Sequence, residues 1–175
     1  VRSRYAAMGG RSPLKAITDL QAKGLSARLG ADVPIYVGMR HSPPWIREVV
    51  ARMREDGVEE IIAFPLTPYA SKLSVGAYLK KLDKALQDTG APLAVREVLD
   101  WNLHPKLISA YAARIEEAAR GMSHAERERT VLLLTAHSLP ERILAEGDPY
   151  PGQFKATARA VAEAAGFQRY EIAYQ

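Results

Sequence analysis

An imidazole at the end of a buried strand can hold a metal ion or move a proton, and the segment Thr135-Ala136-His137-Ser138-Leu139-Pro140-Glu141 presents one. It follows Val131-Leu132-Leu133-Leu134, an unbroken apolar run that predicts a buried strand of a parallel sheet. In open α/β sheets ligands bind at the carboxyl ends of the strands, which is where His137 falls. Ser138 and Glu141 have the S-x-x-E spacing of a capping box, and Pro140 suits the first turn of a helix. The chain is therefore expected to turn abruptly after His137 and to hold it on a rigid corner. A histidine hydrogen-bonded at the sheet edge is the plainer reading of the same pattern, and the local residues leave both open.

Other loops carry complementary groups. Arg40-His41-Ser42-Pro43 sets a cation and an imidazole just ahead of a proline-started helix, an arrangement suited to an anionic group. An exposed Arg40 with His41 or Ser42 as a helix cap would give the same sequence. The loop Pro65 to Ser74 is stiffened by two prolines and projects hydroxyls and Tyr69. Tyr78 lies beyond it, off the face formed by Val75 and Leu79, where it lines a flat ligand or is simply half-buried. Arg4-Tyr5 and Gly9-Gly10-Arg11-Ser12 add a cation, an aromatic ring and a flexible loop at a helix start, in a spacing that fits neither dinucleotide fingerprint nor P-loop. His104 precedes Pro105 at a helix start and His124 sits in a charged stretch, which suits structural or solvent-facing roles. The chain contains no H-x-x-x-H or H-E-x-x-H, hence no self-contained zinc site of the helical type.

The elements that must position these loops alternate. Leu14, Ile17, Leu25 and Leu29 keep to one face of a helix running from Ser12-Pro13 to Gly30, and Ile35 to Met39 predicts a short strand. Pro43-Pro44 opens a second helix that Gly57 stops, and Ile61 to Pro65 forms the next strand. Val75, Leu79, Leu82 and Leu86 mark a third helix, Leu93 to Leu99 a strand, and Leu107 to Ile115 a long helix ending near Gly121. Met122 to Arg129 is polar and predicts a linker. The His137 strand follows, then a helix from about Pro151 to Ala165 and a strand from Tyr170 to Tyr174. Strands joined by crossover helices imply an α/β fold with parallel, doubly wound sheets.

Composition excludes several classes. The 175 residues are 47% apolar and 25% charged, ordinary for a globular chain, and no apolar run approaches the ~20 residues of a membrane span. No cysteine is present, which removes disulfides and thiolate chemistry and is compatible with the cytoplasm. The net charge of +4 is spread among acidic residues, as in Glu126-Arg127-Glu128-Arg129, so no nucleic-acid-binding stripe is expected.

In order along the chain, Arg4-Tyr5, Gly9-Gly10-x-Ser12-Pro13-Leu14, Gly38-Met39-Arg40-His41, Asp56-Gly57-Val58, Pro68-Tyr69-Ala70-Ser71, Tyr78, Ala136-His137-Ser138-Leu139-Pro140-Glu141 and Gly147-Asp148-Pro149-Tyr150-Pro151 resemble the ferrochelatases. The Arg40-His41 and Gly-Asp-Pro-Tyr-Pro wording is more similar to the bacterial coproporphyrin III enzymes than to the protoporphyrin enzymes. The resemblance implies two Rossmann-like domains with helices on both faces of parallel sheets: most of the first at 1–122 and the opening βαβ of the second at 130–175. It implies a lyase that inserts ferrous iron into coproporphyrin III, or protoporphyrin IX, in haem biosynthesis, working as a cytoplasmic monomer with no cofactor beyond the substrate Fe²⁺. His137 matches the family's active-site histidine and metal ligand, while Arg4, Tyr5, Ser12, Arg40, His41 and Tyr78 match porphyrin contacts. The family's first strand and the glutamate opposite the histidine would lie outside Val1 to Gln175, so this piece alone is expected to be inactive or nearly so. Glu141, four residues from His137, is expected to be a helix cap and not that glutamate. A cobalt or nickel tetrapyrrole chelatase and a non-catalytic porphyrin-binding protein are the alternatives; the scarcity of histidines speaks against the first.

Overall fold

The computed structural model describes the chain apart from Val1, Met8 and Arg11 and, inside the first helix, the side chains of Arg2 and Arg4. Two compact units divide it: residues 1–61 with 80–94, and residues 62–79 with 95–175.

The first unit holds α1 (Arg2–Ala7), α2 (Leu14–Leu29) and α3 (Ile46–Glu55). Leu14 starts α2 with its N–H donated to the Ser12 hydroxyl at 3.2 Å, and Gly30 ends it at a φ of 85° that a side chain would resist. The expected apolar face of α2 forms but is not buried: Leu14, Ile17, Leu25 and Leu29 are all exposed, because none of the described residues packs over them. Ile35 to Met39, expected as a strand, is extended without a ladder; only Met39 pairs, in an isolated bridge to Trp45. β-branched composition favours extension, but a strand exists only where a neighbour accepts its N–H groups. The prolines lie ahead of α3, whose first turn is closed by the Trp45 N–H donated to Glu48 (3.1 Å); Val50 is its buried anchor.

Three elements contribute to both units: β1 (Glu60–Ala63), α4 (Val75–Thr89) and β2 (Ala94–Glu97). β1 and β2 form a two-stranded sheet. The Ala94 N–H donates to Glu59 and the Val98 N–H to Ala63, an equal advance along both strands that makes the pairing parallel. Along α4, Val75, Leu79 and Leu82 are buried as read from the sequence, while Ala85 takes the fourth buried place and Leu86 is half-buried.

The remaining elements lie in the second unit: α5 (Pro105–Ala118), α6 (His124–Arg129), β3 (Leu132–Ala136), α7 (Glu141–Ala145), α8 (Tyr150–Ala164) and β4 (Tyr170–Tyr174). β3 and β4 pair in parallel from Leu132 opposite Tyr170 to Ala136 opposite Tyr174, with α8 crossing between them and packing on both. The α/β class with short parallel sheets is thus present. Met122 to Arg129 is not a plain linker, because Ser123 and Glu126 make a capping box that starts α6, with Ser123 Oγ accepting from the Glu126 N–H at 3.3 Å and the Glu126 carboxylate accepting from the Ser123 N–H at 2.8 Å. Nor is β3 buried on both faces: Leu133 is 60% exposed, since α8 covers one face of the two-stranded sheet.

The core of this unit is the inner stripe of α8. Phe154, Thr157, Ala158, Val161, Ala162 and Ala165 recur at three- and four-residue steps and are all buried. Alanines on that stripe, facing Ala112 and Ala119 of the α5 segment, let the two helices approach closely, with Ile115, Leu132 and Phe167 filling the remaining space. Phe154 is also the ring on which Tyr69 and Tyr174 stand edge-on, at 6.2 and 5.6 Å. Phe154→Ala is expected to destabilise the second unit by about 3–5 kcal/mol, seen as a lower urea midpoint at unchanged slope.

Candidate functional site at the carboxyl end of strand β3

His137 is the first residue beyond β3 and is exposed. Its neighbours are fastened to the end of β4: Gln175 donates its N–H to the Ala136 carbonyl (3.0 Å), and the Ser138 N–H donates to the Gln175 carbonyl (2.9 Å). The Ser138 hydroxyl donates to the same carbonyl at 3.2 Å. The expected capping box is therefore not formed. Pro140 is the N-cap of α7, Ile143 donates back to its carbonyl, and Glu141 is the exposed first helical residue. Leu139-Pro140 keeps the chain extended beyond Ser138, so the serine continues the ladder instead of capping. The corner after His137 is rigid, but it is made by β4.

The carbonyl of His137 accepts a hydrogen bond from the Tyr150 hydroxyl at 3.0 Å. Tyr150 opens α8, its N–H donated to Asp148 Oδ1 (3.0 Å) and its ring edge-on to Tyr69, centroids 5.5 Å apart at 88°. Asp148 is buried, and its Oδ2 accepts from the Ser71 hydroxyl (3.1 Å) and the Lys72 N–H (2.9 Å). Gly147, at a φ of 75°, supplies the left-handed turn that brings the carboxylate inward. Burial pushes both phenols up from their ordinary value, most directly through desolvation, and so keeps the Tyr150 hydroxyl protonated as the donor to His137.

Further clasps bind the loops that follow the other strands. Gln153 accepts from the Ala70 N–H (2.8 Å) and donates to Asp100 (3.0 Å). Asn102, buried, donates to Thr157 Oγ1 and to the Gln153 carbonyl, both at 3.2 Å, and the Thr157 hydroxyl returns a bond to the Asn102 carbonyl at 3.0 Å. Trp101 donates through its backbone to Pro68 and through its indole to Pro65, and its ring packs on Phe64. The loops after β1, β2 and β3 are thereby one hydrogen-bonded assembly within the second unit. Tyr78 is half-buried on α4 in the same unit. Shallow depressions of about 420 and 610 Å³ lie by Phe167 and by Arg120, on the far part of α8 and of α5, away from His137 and Tyr78.

The other predicted residues belong to the first unit. Tyr5 and Ser12 are exposed, and Arg4 lies in α1 with its side chain outside the described residues. Arg40 is half-buried and His41 exposed on a tight loop closed by the Met39 N–H donated to the Pro44 carbonyl at 2.8 Å. Gly38 permits that loop, because a Cβ there would come within 3.3 Å of Ile46. The histidines given structural readings behave so: His104 caps α5, its Nδ1 accepting from the Lys106 N–H, and His124 is exposed beside Glu128. Among the described residues no three His, Asp or Glu side chains converge as a metal-holding group.

A family model described as ferrochelatase matches residues 1–175. The chain belongs to the ferrochelatase family. Relatives include the coproporphyrin III ferrochelatases of Anoxybacillus flavithermus (41% identical), Listeria monocytogenes (39%) and Bacillus subtilis (36%), each aligned with all of this chain and with 57–58% of its own length. The chain thus spans somewhat more than half the length of these curated relatives.

Asp148, Tyr150, Gln153 and Asn102 escaped the reading of individual loops. Gly147-Asp148-Pro149-Tyr150 stands out in sequence as a turn followed by a helix start, but nothing local tells which loop its carboxylate will meet seventy-odd positions away. Beside it, the Lys72 ammonium pairs with Glu146 at 2.9 Å and, by that hydrogen bond first, holds the Glu146 carboxyl below its usual value. A carboxyl lowered in the folded state stabilises above its unfolded value of about 4.3 and ceases to do so as pH falls through the folded value. Lys72→Met should therefore lower the melting temperature slightly at neutral pH, with the difference vanishing in acid and shrinking in high salt.

Proposed function

We propose that this chain carries the histidine side of a site that inserts ferrous iron into coproporphyrin III in haem biosynthesis. The observation that carries the reading is His137 itself: an exposed imidazole on a fixed corner at the carboxyl end of a parallel strand, in a chain matched throughout by the ferrochelatase model. Its relatives' names support the coproporphyrin substrate over protoporphyrin IX and over cobalt or nickel chelation.

Metallation replaces two pyrrole N–H protons by Fe²⁺, so two protons must leave as the metal enters. A neutral imidazole beside the ring can accept one of them or donate its lone pair to the incoming ion. In this reading Arg4, Arg40 and His41 offer charge to the propionates, Ser12 a hydroxyl, and Tyr5 and Tyr78 aromatic faces to the macrocycle. No cofactor is called for beyond the substrate metal. The division of the chain into most of one domain at 1–122 and the opening of a second at 130–175 belongs to the same proposal, supported by the βαβ unit of β3, α8 and β4. No helix of the described residues is long and apolar enough to cross a membrane, and we take the protein to act in the cytoplasm as a monomer without nucleic acid.

The test uses the protein carrying this chain, coproporphyrin III and Fe²⁺ under anaerobic conditions, with metallation followed by the collapse of the free-base visible bands. His137→Ala is expected to lower the rate by at least about 10²-fold while the porphyrin still binds, as seen by tyrosine and tryptophan fluorescence quenching. Unchanged turnover would remove His137 from the reaction. Binding without metallation by the unmodified protein would point to the porphyrin-binding alternative.

A further inference from the structure

We propose that Tyr150 is the positioning residue of His137, its hydroxyl fixing the peptide from which the imidazole projects, with Asp148 and Tyr69 holding Tyr150 in place. The proposal rests on the reading of His137 as the metallating histidine.

Alternation along β3 gives the argument its geometry. In a strand the N–H and C=O of one residue point to the same edge, and those of its neighbours to the other. Leu132, Ala136 and Ser138 bond toward β4. His137 is out of phase with them, so its carbonyl points to the opposite edge. There the Tyr150 hydroxyl meets it at 3.0 Å, where a further strand would otherwise have placed an N–H. Peptides on both sides of His137 are thus held by β4, and His137 itself is held from the other side by a side chain.

Tyr150 is in turn over-determined. Its N–H is held by Asp148 Oδ1, its ring by the edge of Tyr69, and Asp148 is anchored by Ser71 and Lys72. Packing alone would be served by phenylalanine, and solvent could satisfy the exposed His137 carbonyl. The hydroxyl therefore contributes little to stability and acts chiefly on geometry. Among the described residues the His137 ring makes no hydrogen bond of its own, so the point from which it projects is fixed through its backbone.

The experiment compares Tyr150→Phe with the unmodified protein in three measurements. We expect kcat for metallation to fall about tenfold with KM for coproporphyrin III unchanged within about twofold, the pattern of a misaligned reacting group. We expect the His137 ring resonances in the NMR spectrum to shift or broaden, and the melting temperature to stay put. Tyr69→Leu, which removes the ring edge standing against Tyr150 and leaves the Asp148 bonds intact, should move the same quantities in the same direction and decides the matter if Tyr150→Phe does not fold. Wild-type kcat together with unmoved ring resonances in both variants would overturn the proposal. If the unmodified protein does not metallate at all, the functional reading fails, and the resonances alone decide whether Tyr150 positions His137.

Discussion

The buried carboxylate of Asp148 is the constraint on which the second unit depends. A carboxylate removed from water is costly unless its oxygens are filled, and here three donors fill them: the Ser71 hydroxyl, the Lys72 N–H and the Tyr150 N–H. Two of these belong to the loop after β1 and one to the start of α8, so satisfying the charge forces that loop against the turn that opens α8. Everything nearby follows from that meeting. Tyr69 reaches Tyr150 and Phe154 because its loop is pinned there, and Gln153, one turn into α8, comes within reach of Ala70 and Asp100.

Beneath this polar layer lies a stiff apolar platform. The buried stripe of α8 packs on β3, β4 and α5, with alanines where the helices come closest. Close packing of small residues leaves little room for sliding, so the position of the Tyr150 end of α8 is set by the body of the helix. The same helix therefore buries the core with one face and aims the polar contacts of its first turn at the strand-end loops. Stability and site geometry are not separable here: a change at Phe154 would be felt at Tyr69 and Tyr174, whose rings rest against it.

What the sequence made legible was whatever is encoded locally. The periodicity of Val75 to Leu86 and of α8, the glycines that end helices, and the apolar run ahead of His137 all gave elements close to those observed. The failures share one cause, the need for a partner distant in sequence. Ile35 to Met39 has strand composition and no ladder; Leu133 has core composition and lies open; Ser138 has capping spacing, yet its hydroxyl serves Gln175. Even the charged stretch at 122–129 obeys the rule in reverse, since the Ser123 and Glu126 capping box is purely local and was hidden only by its polarity. For the candidate site, residue types and order pointed to His137, but the side chains that hold it could be found only in three dimensions.

The way His137 is mounted bears on what such a residue can do. A histidine fixed through its ring nitrogens is rigid but spent, since each bonded nitrogen is lost to chemistry. A histidine fixed through its backbone keeps both nitrogens available while losing orientational freedom, which suits a group that must meet a proton or a metal ion at one place on a flat ligand. At Ala136 and His137 the bonds engage backbone atoms, Ser138 adds its hydroxyl to its N–H, and among the described residues none engages the imidazole. The remaining freedom is the rotation of the side chain itself. An open strand end leaves that rotation to be settled by the ligand, which in the proposed reaction is the macrocycle laid across it.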